Sequence, residues 1–383
     1  MGTCAELSAP PLGLYVHLPW CVRKCPYCDF NSHALRGDLP AADYIDALIR
    51  DLDEDVALAG GRTVSSVYFG GGTPSLFDAT HMATLLAEIR ARLPLAGDAE
   101  VTLEANPGTV ERDRFSGYRE AGVTRVSLGV QSFDDALLGA IGRIHGRAEV
   151  EAALADLQTS GIANFNIDLM YALPGQTVAQ AVADLELALT SGAEHISHYQ
   201  LTLEPNTEFA VRPPPLPDEE AAWAMQEAAE SLLAAGGFEQ YEISAWARPG
   251  KECRHNLLYW EFGDYLGIGA GAHAKLTDAP AGRILRFVKQ RHPRRYMAGQ
   301  RLAETRELSE PDRVFEFFLN GLRLRRGITR NCFSARTGLD WERASGRVGQ
   351  ALQRGLLEAV PGGFRPSPTG WRFVNDLQAL FLP

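Results

Sequence analysis

The chain has no apolar run of the roughly 18–20 residues that a membrane-crossing helix needs. Its first residues, Met1 to Pro11, lack the basic start and apolar stretch of a secretory signal. Gly2 follows Met1, but Glu6 stands where a myristoylation signal needs Ser or Thr. These absences predict a cytoplasmic protein. Cysteine is scarce, with 6 in 383 residues, and Cys21, Cys25 and Cys28 share one short window. A disulfide framework is therefore not expected in an intracellular chain of this size, and so tight a group of thiols points to a metal or iron–sulfur site. Hydrophobic residues at 45% and charged residues at 22% exclude disordered and fibrous classes.

Basic charge is short overall, giving a net charge of -11. The shortage is uneven. Residues 1–280 carry 18 basic and 39 acidic groups, whereas residues 281–383 carry 19 basic and 9 acidic. The average argues against a polyanionic partner, but the basic last quarter is where such a partner would be sought.

What is present is a repeat of strand and helix. Short β-prone runs recur at 14–18, 66–69, 100–103, 125–130, 165–170 and 195–201. Helical periodicity fills 41–59, 79–93, 111–121, 148–159 and 177–190. Strand then helix, about every 30 residues, predicts βαβ units and an α/β fold with a parallel sheet. Six units fall short of the eight of a closed barrel, so a partial (β/α)6 barrel and an open sheet both fit. Residues 212–217 hold four prolines and read as a semi-rigid linker. A helix at 218–235, a strand at 239–244 and a glycine-rich stretch at 261–274 follow. Beyond Pro311 the pattern changes to a helix at 312–325, two shorter helices, a hairpin-like stretch at 355–373 and a last helix. That order is similar to a winged helix and predicts a smaller α+β unit. The expected divisions are 1–235, 236–300 and 301–383.

Polar residues and glycines gather just past the strands. They include His17 and Cys21, then Gly71, Gly72 and Thr73, then Glu104, Gln131, Asp168 and Tyr199. Sites in parallel barrels lie at the C-terminal strand ends, so these groups are expected on one rim. There the three cysteines form a C-x3-C-x2-C cluster. Three thiolates can hold three irons of a [4Fe–4S] cluster and leave the fourth open. A zinc site is the other reading, with His17 or His33 as fourth ligand.

The run from Tyr15 through His17, Pro19, Trp20 and the cysteines to Phe30 resembles the radical S-adenosylmethionine enzymes. Within them it is similar to the branch of oxygen-independent coproporphyrinogen III oxidase and the HemW haem chaperones. The likeness runs over about residues 12–375. It implies a partial barrel in which the open iron is chelated by S-adenosylmethionine. It also implies that Gly71, Gly72 and Thr73 approach the methionine amino group, and that Glu104, Gln131, Arg143 and Asp168 hold the methionine and ribose parts. Tyr15 matches an aromatic position close to the cofactor.

Two departures separate the branches. The oxidases carry a fourth cysteine two residues after the third, where this chain has Phe30. They also carry a longer extension before the first strand. A positive marker is His255-Asn256-x-x-Tyr259-Trp260, which matches an HNxxYW motif associated with the chaperones and with haem. An imidazole can ligate haem iron and aromatics can pack on the macrocycle. A core helix with a hydrogen-bonded histidine gives the same residues. His273 and Cys253 are alternative axial ligands.

The basic region offers further partners. Arg283, Arg286, Lys289, Arg291, Arg294, Arg295, Arg323, Arg325 and Arg326 could form a solvated face, pair with haem propionates or an acidic protein, or sit on an anionic membrane leaflet. Nucleic acid is the weaker reading, because Gly346 and Gly349 are expected to interrupt the helix that would carry Arg343 and Arg347. The leading expectation is a haem chaperone with a [4Fe–4S] cluster and S-adenosylmethionine, served by an electron donor and delivering haem to acceptor proteins. The alternative is an oxidase or another radical enzyme acting on a tetrapyrrole.

Overall fold

The computed structural model describes residues 6–109 and 114–383. Six parallel strands arise where the sequence predicts them: Leu12–Leu18, Val64–Gly71, Leu95–Ala105, Arg125–Gln131, Asn164–Tyr171 and His195–Gln200. Each pairs with the next in parallel. Alternate side chains take opposite faces of a strand. Leu14, Val16, Val67, Phe69, Val126 and Ile167, each at 0% exposure, form the core beneath the helices. The intervening positions, Ser127 and Gln131 or Asn166 and Asp168, line a cavity on the other face.

Helices Ala41–Asp55, Ala79–Arg92, Arg114–Ala121, Arg147–Ser160 and Val178–Thr190 connect these strands. Their boundaries follow local chemistry. The Asp78 carboxylate accepts from the His81 amide at 2.9 Å, and the Thr177 hydroxyl accepts from the Gln180 amide at 3.3 Å, satisfying N-terminal amides that lack a helical partner. The helix expected over 41–59 tightens to a 3-10 turn at Val56–Ala59. The start of the helix expected over 111–121 lies outside the described residues.

Beyond the sixth strand the sheet grows at both edges. The strand expected at 239–244 is a tight hairpin of Glu239–Glu242 and Ala245–Ala247, antiparallel to the sixth strand. The glycine-rich stretch is not irregular. It contains Asp264–Ile268, a seventh parallel strand on the far side of the first. Glycine is needed there, since a Cβ on Gly267 would lie 1.9 Å from the His273 carbonyl oxygen. Strands His273–Asp278, Arg283–Lys289 and Leu302–Glu307 extend that edge in antiparallel fashion. Residues 236–300 thus supply strands to the main sheet.

The last part has its own core of Phe317, Phe318, Phe333 and Phe381, with Phe318 and Phe381 stacked at 3.8 Å. Helix Glu310–Gly321, strand Ile328–Thr329, helices Arg330–Thr337 and Glu342–Gln353, and hairpin Leu357–Val360 with Gly363–Pro366 follow in winged-helix order. Gly346 and Gly349 do not interrupt helix Glu342–Gln353. Packing of Ala344, Val348 and Ala351 outweighs their low helix propensity.

Much of the basic charge is paired within the chain, part of it buried and part at the surface. Lys289 reaches both Asp51 and Asp55 at 2.6 Å, Arg323 reaches Glu242 at 2.9 Å, and Arg283 reaches Asp278 at 2.9 Å. Arg286 pairs with Glu316 and Arg326 with Glu261. Among the described residues no helix is long and apolar enough to cross a membrane.

Candidate functional site

The cysteine loop leaves the short strand Trp20–Cys21 and returns at His33–Ala34, which pairs with it in parallel. The His33 amide donates to the Pro19 carbonyl at 2.7 Å and the Leu35 amide to the Cys21 carbonyl at 2.8 Å, closing the loop at its base. Inside it, the Cys28 amide donates to the Cys25 carbonyl at 3.1 Å. All three cysteines face a cavity of about 650 Å³, within the usual size range of ligand sites.

The glycine run closes against this loop. The Gly72 amide donates to the Leu18 carbonyl at 2.8 Å and the Thr73 amide to the Trp20 carbonyl at 2.7 Å. A Cβ on Gly72 would lie 2.5 Å from the Trp20 carbonyl oxygen, and one on Gly71, whose φ is +118°, would strike the His17 ring. The nearest reason for these glycines is therefore protein packing. The same side chains would also obstruct any close approach by a ligand.

Glu104, Gln131, Arg143 and Asp168 also line the cavity. Burial raises the Glu104 carboxyl to about 7, partly offset by hydrogen bonds from the Tyr68 hydroxyl at 2.9 Å and the Gly71 amide at 3.1 Å. Asp168 is also raised by burial, against bonds from the Asn166 amide at 2.7 Å and the Ser127 hydroxyl at 3.1 Å. Gln131 holds a φ of 71°, rare for a residue with a side chain, and accepts from the Tyr199 hydroxyl at 2.7 Å. Arg143 anchors on the Gly129 carbonyl at 2.8 Å and lies 3.7 Å from the Cys25 sulfur.

The sequence-predicted residues Cys21, Cys25, Cys28, Gly71, Gly72, Thr73, Glu104, Gln131, Arg143 and Asp168 thus share one cavity. Tyr15 and His255 do not line it. The Tyr15 hydroxyl meets His17 Nδ1 at 2.9 Å, and it is Tyr68, stacked on Tyr15, that reaches the cavity wall there. His255 is 1% exposed, with Nδ1 2.9 Å from the Ser66 hydroxyl and Nε2 3.0 Å from the Tyr259 hydroxyl. Neither ring nitrogen is free for iron in this arrangement. Cys253 is fully buried, and burial pushes its thiol up to about 12. His273 is exposed.

Sequence reasoning missed Tyr68, Arg125, Ser127 and Asn166 as cavity residues, and it read Asn256 and Trp260 only as parts of the haem-associated motif. A signal was available. Arg125, Ser127, Gly129 and Gln131 alternate along one strand, as do Asn166, Asp168 and Met170 along the next. Polar residues at a period of two inside a β-prone run mark the inward face.

The donor set fits an iron–sulfur cluster. Of the two candidate zinc ligands, His17 has its ring nitrogens held by Tyr15 and the Asn31 carbonyl, whereas His33 Nε2 has no partner. Among the described residues no three His, Cys, Asp or Glu side chains gather tightly enough for one ion. A cubane instead takes one thiolate per iron. Burial raises the Cys21 and Cys28 thiols, whereas coordination would deprotonate them outright. The Arg143 Nε is buried without a partner beside the loop, and its charge would offset that of the cluster.

Residues 15–188 match the Radical SAM superfamily profile and residues 308–373 the HemN C-terminal domain profile. The fold is similar to that of the coproporphyrinogen III oxidase HemN from Escherichia coli, with a TM-score of 0.83, 22% identity, and coverage of 99% of this chain and 91% of that one. The class is therefore a radical S-adenosylmethionine protein. The chain is 51% identical over 376 residues to the heme chaperone HemW of Escherichia coli (strain K12), covering 98% of this chain and 99% of that protein. It is 47% identical over 377 residues to the heme chaperone HemW of Haemophilus influenzae, covering 97% and 98%. The chain belongs to the HemW family of the radical S-adenosylmethionine superfamily.

Proposed function

We propose that this protein is a haem chaperone, binding haem and delivering it to haem-requiring proteins while carrying a [4Fe–4S] cluster and S-adenosylmethionine. The observation that carries this reading is the near-complete match, at 51% identity, to a protein named as a heme chaperone. Phe30 supports it. The residue at the oxidases' fourth cysteine position is a phenylalanine, 60% exposed and lining the cavity.

In this reading Cys21, Cys25 and Cys28 hold the cluster. When bound, the cluster supplies a low-potential electron and an open iron. Thr73 and the glycine loop shape the wall beside it. Glu104 would accept from the methionine amino group, Gln131 and Asp168 would face the ribose, and Arg143 would offset the charge at Cys25. Of the three axial-ligand candidates, only His273 is exposed, and it does not line the cavity. An electron donor and haem-accepting proteins are the partners. Arg291, Arg294 and Arg295 make no ion pair among the described residues, and they form the candidate contact with an acidic protein or leaflet.

Anaerobic titration of reconstituted protein with haem, alongside turnover assays with coproporphyrinogen III, tests this. A saturable Soret shift without protoporphyrinogen IX is expected. No Soret shift, or full turnover, refutes it. His273→Ala is expected to alter the Soret band.

A further inference from the structure

We propose that the inner end of the cavity, around Arg125, is an anion site for a carboxylate arm. Arg125 opens the strand Arg125–Gln131 and points inward with the cavity-lining series. It is 2% exposed, yet it makes no ion pair or hydrogen bond among the described residues, and its Nε is orphaned. A guanidinium taken out of water without partners is costly, so such a group is normally met by an acceptor. The nearby carboxylates are turned elsewhere. Glu100 accepts from the Cys253 thiol at 3.5 Å and the Arg254 amide at 3.0 Å, while Asp168 is held by Asn166 and Ser127. They balance the charge at a distance and leave the N–H fork open.

A second orphan lines the same cavity. The indole N–H of Trp260 is buried with no acceptor, while the Trp260 ring is covered by Arg323, whose guanidinium carbon lies 4.4 Å from the ring centre. This comes from how helix Arg254–Trp260 divides its faces. His255 and Tyr259, four residues apart, bond to each other within the core. Asn256 and Trp260, also four apart and so on a shared face, line the cavity. Guanidinium and indole only donate, so the matching occupant is rich in acceptors. A planar fork suits an anion that offers two oxygens side by side, as a carboxylate does.

The assignment rests on the proposed haem function, which supplies the occupant: one of haem's propionates. The test uses the full-length, cluster-loaded protein, titrated with haem, with haem dimethyl ester, whose propionates are blocked, and with S-adenosylmethionine. Arg125→Gln is expected to weaken haem binding about 10- to 100-fold, the range for a charged hydrogen bond, and to leave the diester and S-adenosylmethionine unchanged. Trp260→Phe, which keeps an aromatic ring but loses the indole N–H and part of the ring area, is expected to weaken haem several-fold with the same selectivity. Equal loss for haem and diester, loss confined to S-adenosylmethionine, or unchanged haem affinity in both variants overturns the site. Parent protein that binds neither porphyrin would instead refute the haem function itself.

Discussion

Glu104 gives the sharpest test of the proposed cofactor contacts. Its carboxyl sits near 7 because burial disfavours the charge, against an ordinary value of 4.5. In ligand-free protein at pH 7 it is about half protonated. An amino group bonded to it favours the carboxylate and draws the value back toward 4.5. Below pH 7 the resident proton competes with the ligand, so binding weakens as pH falls. With those two values, Glu104 accounts for a roughly 25-fold rise in S-adenosylmethionine affinity from pH 5.5 to 8, and for release of about half a proton per ligand at pH 7. The perturbation is Glu104→Gln, which keeps size and removes titration. Calorimetric titration of both proteins at pH 5.5, 7 and 8, in two buffers of different ionisation heat, reads affinity and proton count together. The ligand's own amine also titrates, so Glu104's part is the difference in slope between the two proteins. Parallel pH profiles would refute the reasoning. The raised value also sets a stability trend. The folded protein holds this proton more tightly than the unfolded chain, so its contribution is complete below about pH 4.5 and is lost as pH rises through 7.

Cys25→Ser is expected to lower bound iron and bleach the broad absorbance near roughly 400 nm; iron equal to the parent's would contradict the cluster assignment. Gly72→Ala forces a methyl against backbone that cannot swing away, with an expected cost of about 1–3 kcal/mol in urea unfolding and reduced cluster content; a fully loaded, equally stable variant would mean the loop yields more than its geometry suggests. Asp51→Ala strips a buried partner from Lys289 and from the Tyr296 hydroxyl, both at 2.6 Å, and is expected to cost about 3–5 kcal/mol. Unchanged unfolding would show that Asp55 alone suffices for Lys289.

The main sheet was legible because each strand and helix announces itself within a few residues, as in the apolar run at Leu14 or the helical periodicity over 177–190. The cysteines and Glu104 were legible for a related reason: a strand end in a parallel fold fixes where its next residue points. Arg125 and Trp260 were not, since an inward position depends on how strands and a distant helix face each other. The His255 motif was read as a unit, but the helix sends its residues to opposite sides. The pairing of part of the basic tail was hidden for a different reason. Composition counts charges, whereas Arg323 with Glu242 and Lys289 with Asp51 join residues far apart in sequence. Strand Asp264–Ile268 hid among glycines whose purpose is close approach.

That strand has a consequence for how the protein is made. The first strand is bordered on one side by Val64–Gly71 and on the other by a partner about 250 residues further along the chain. At ribosomal speeds of ~5–20 residues per second, that partner emerges roughly 12–50 s later. During the wait the first strand is an open edge with unpaired backbone groups. When the partner docks, Gly269 closes on His17 and Gly271 on Asn31, the residues that flank the cysteine loop. The loop is therefore locked after the six-strand sheet can already exist. In a nascent chain halted before residue 264, neither of these closures on the flanks of the cysteine loop can form.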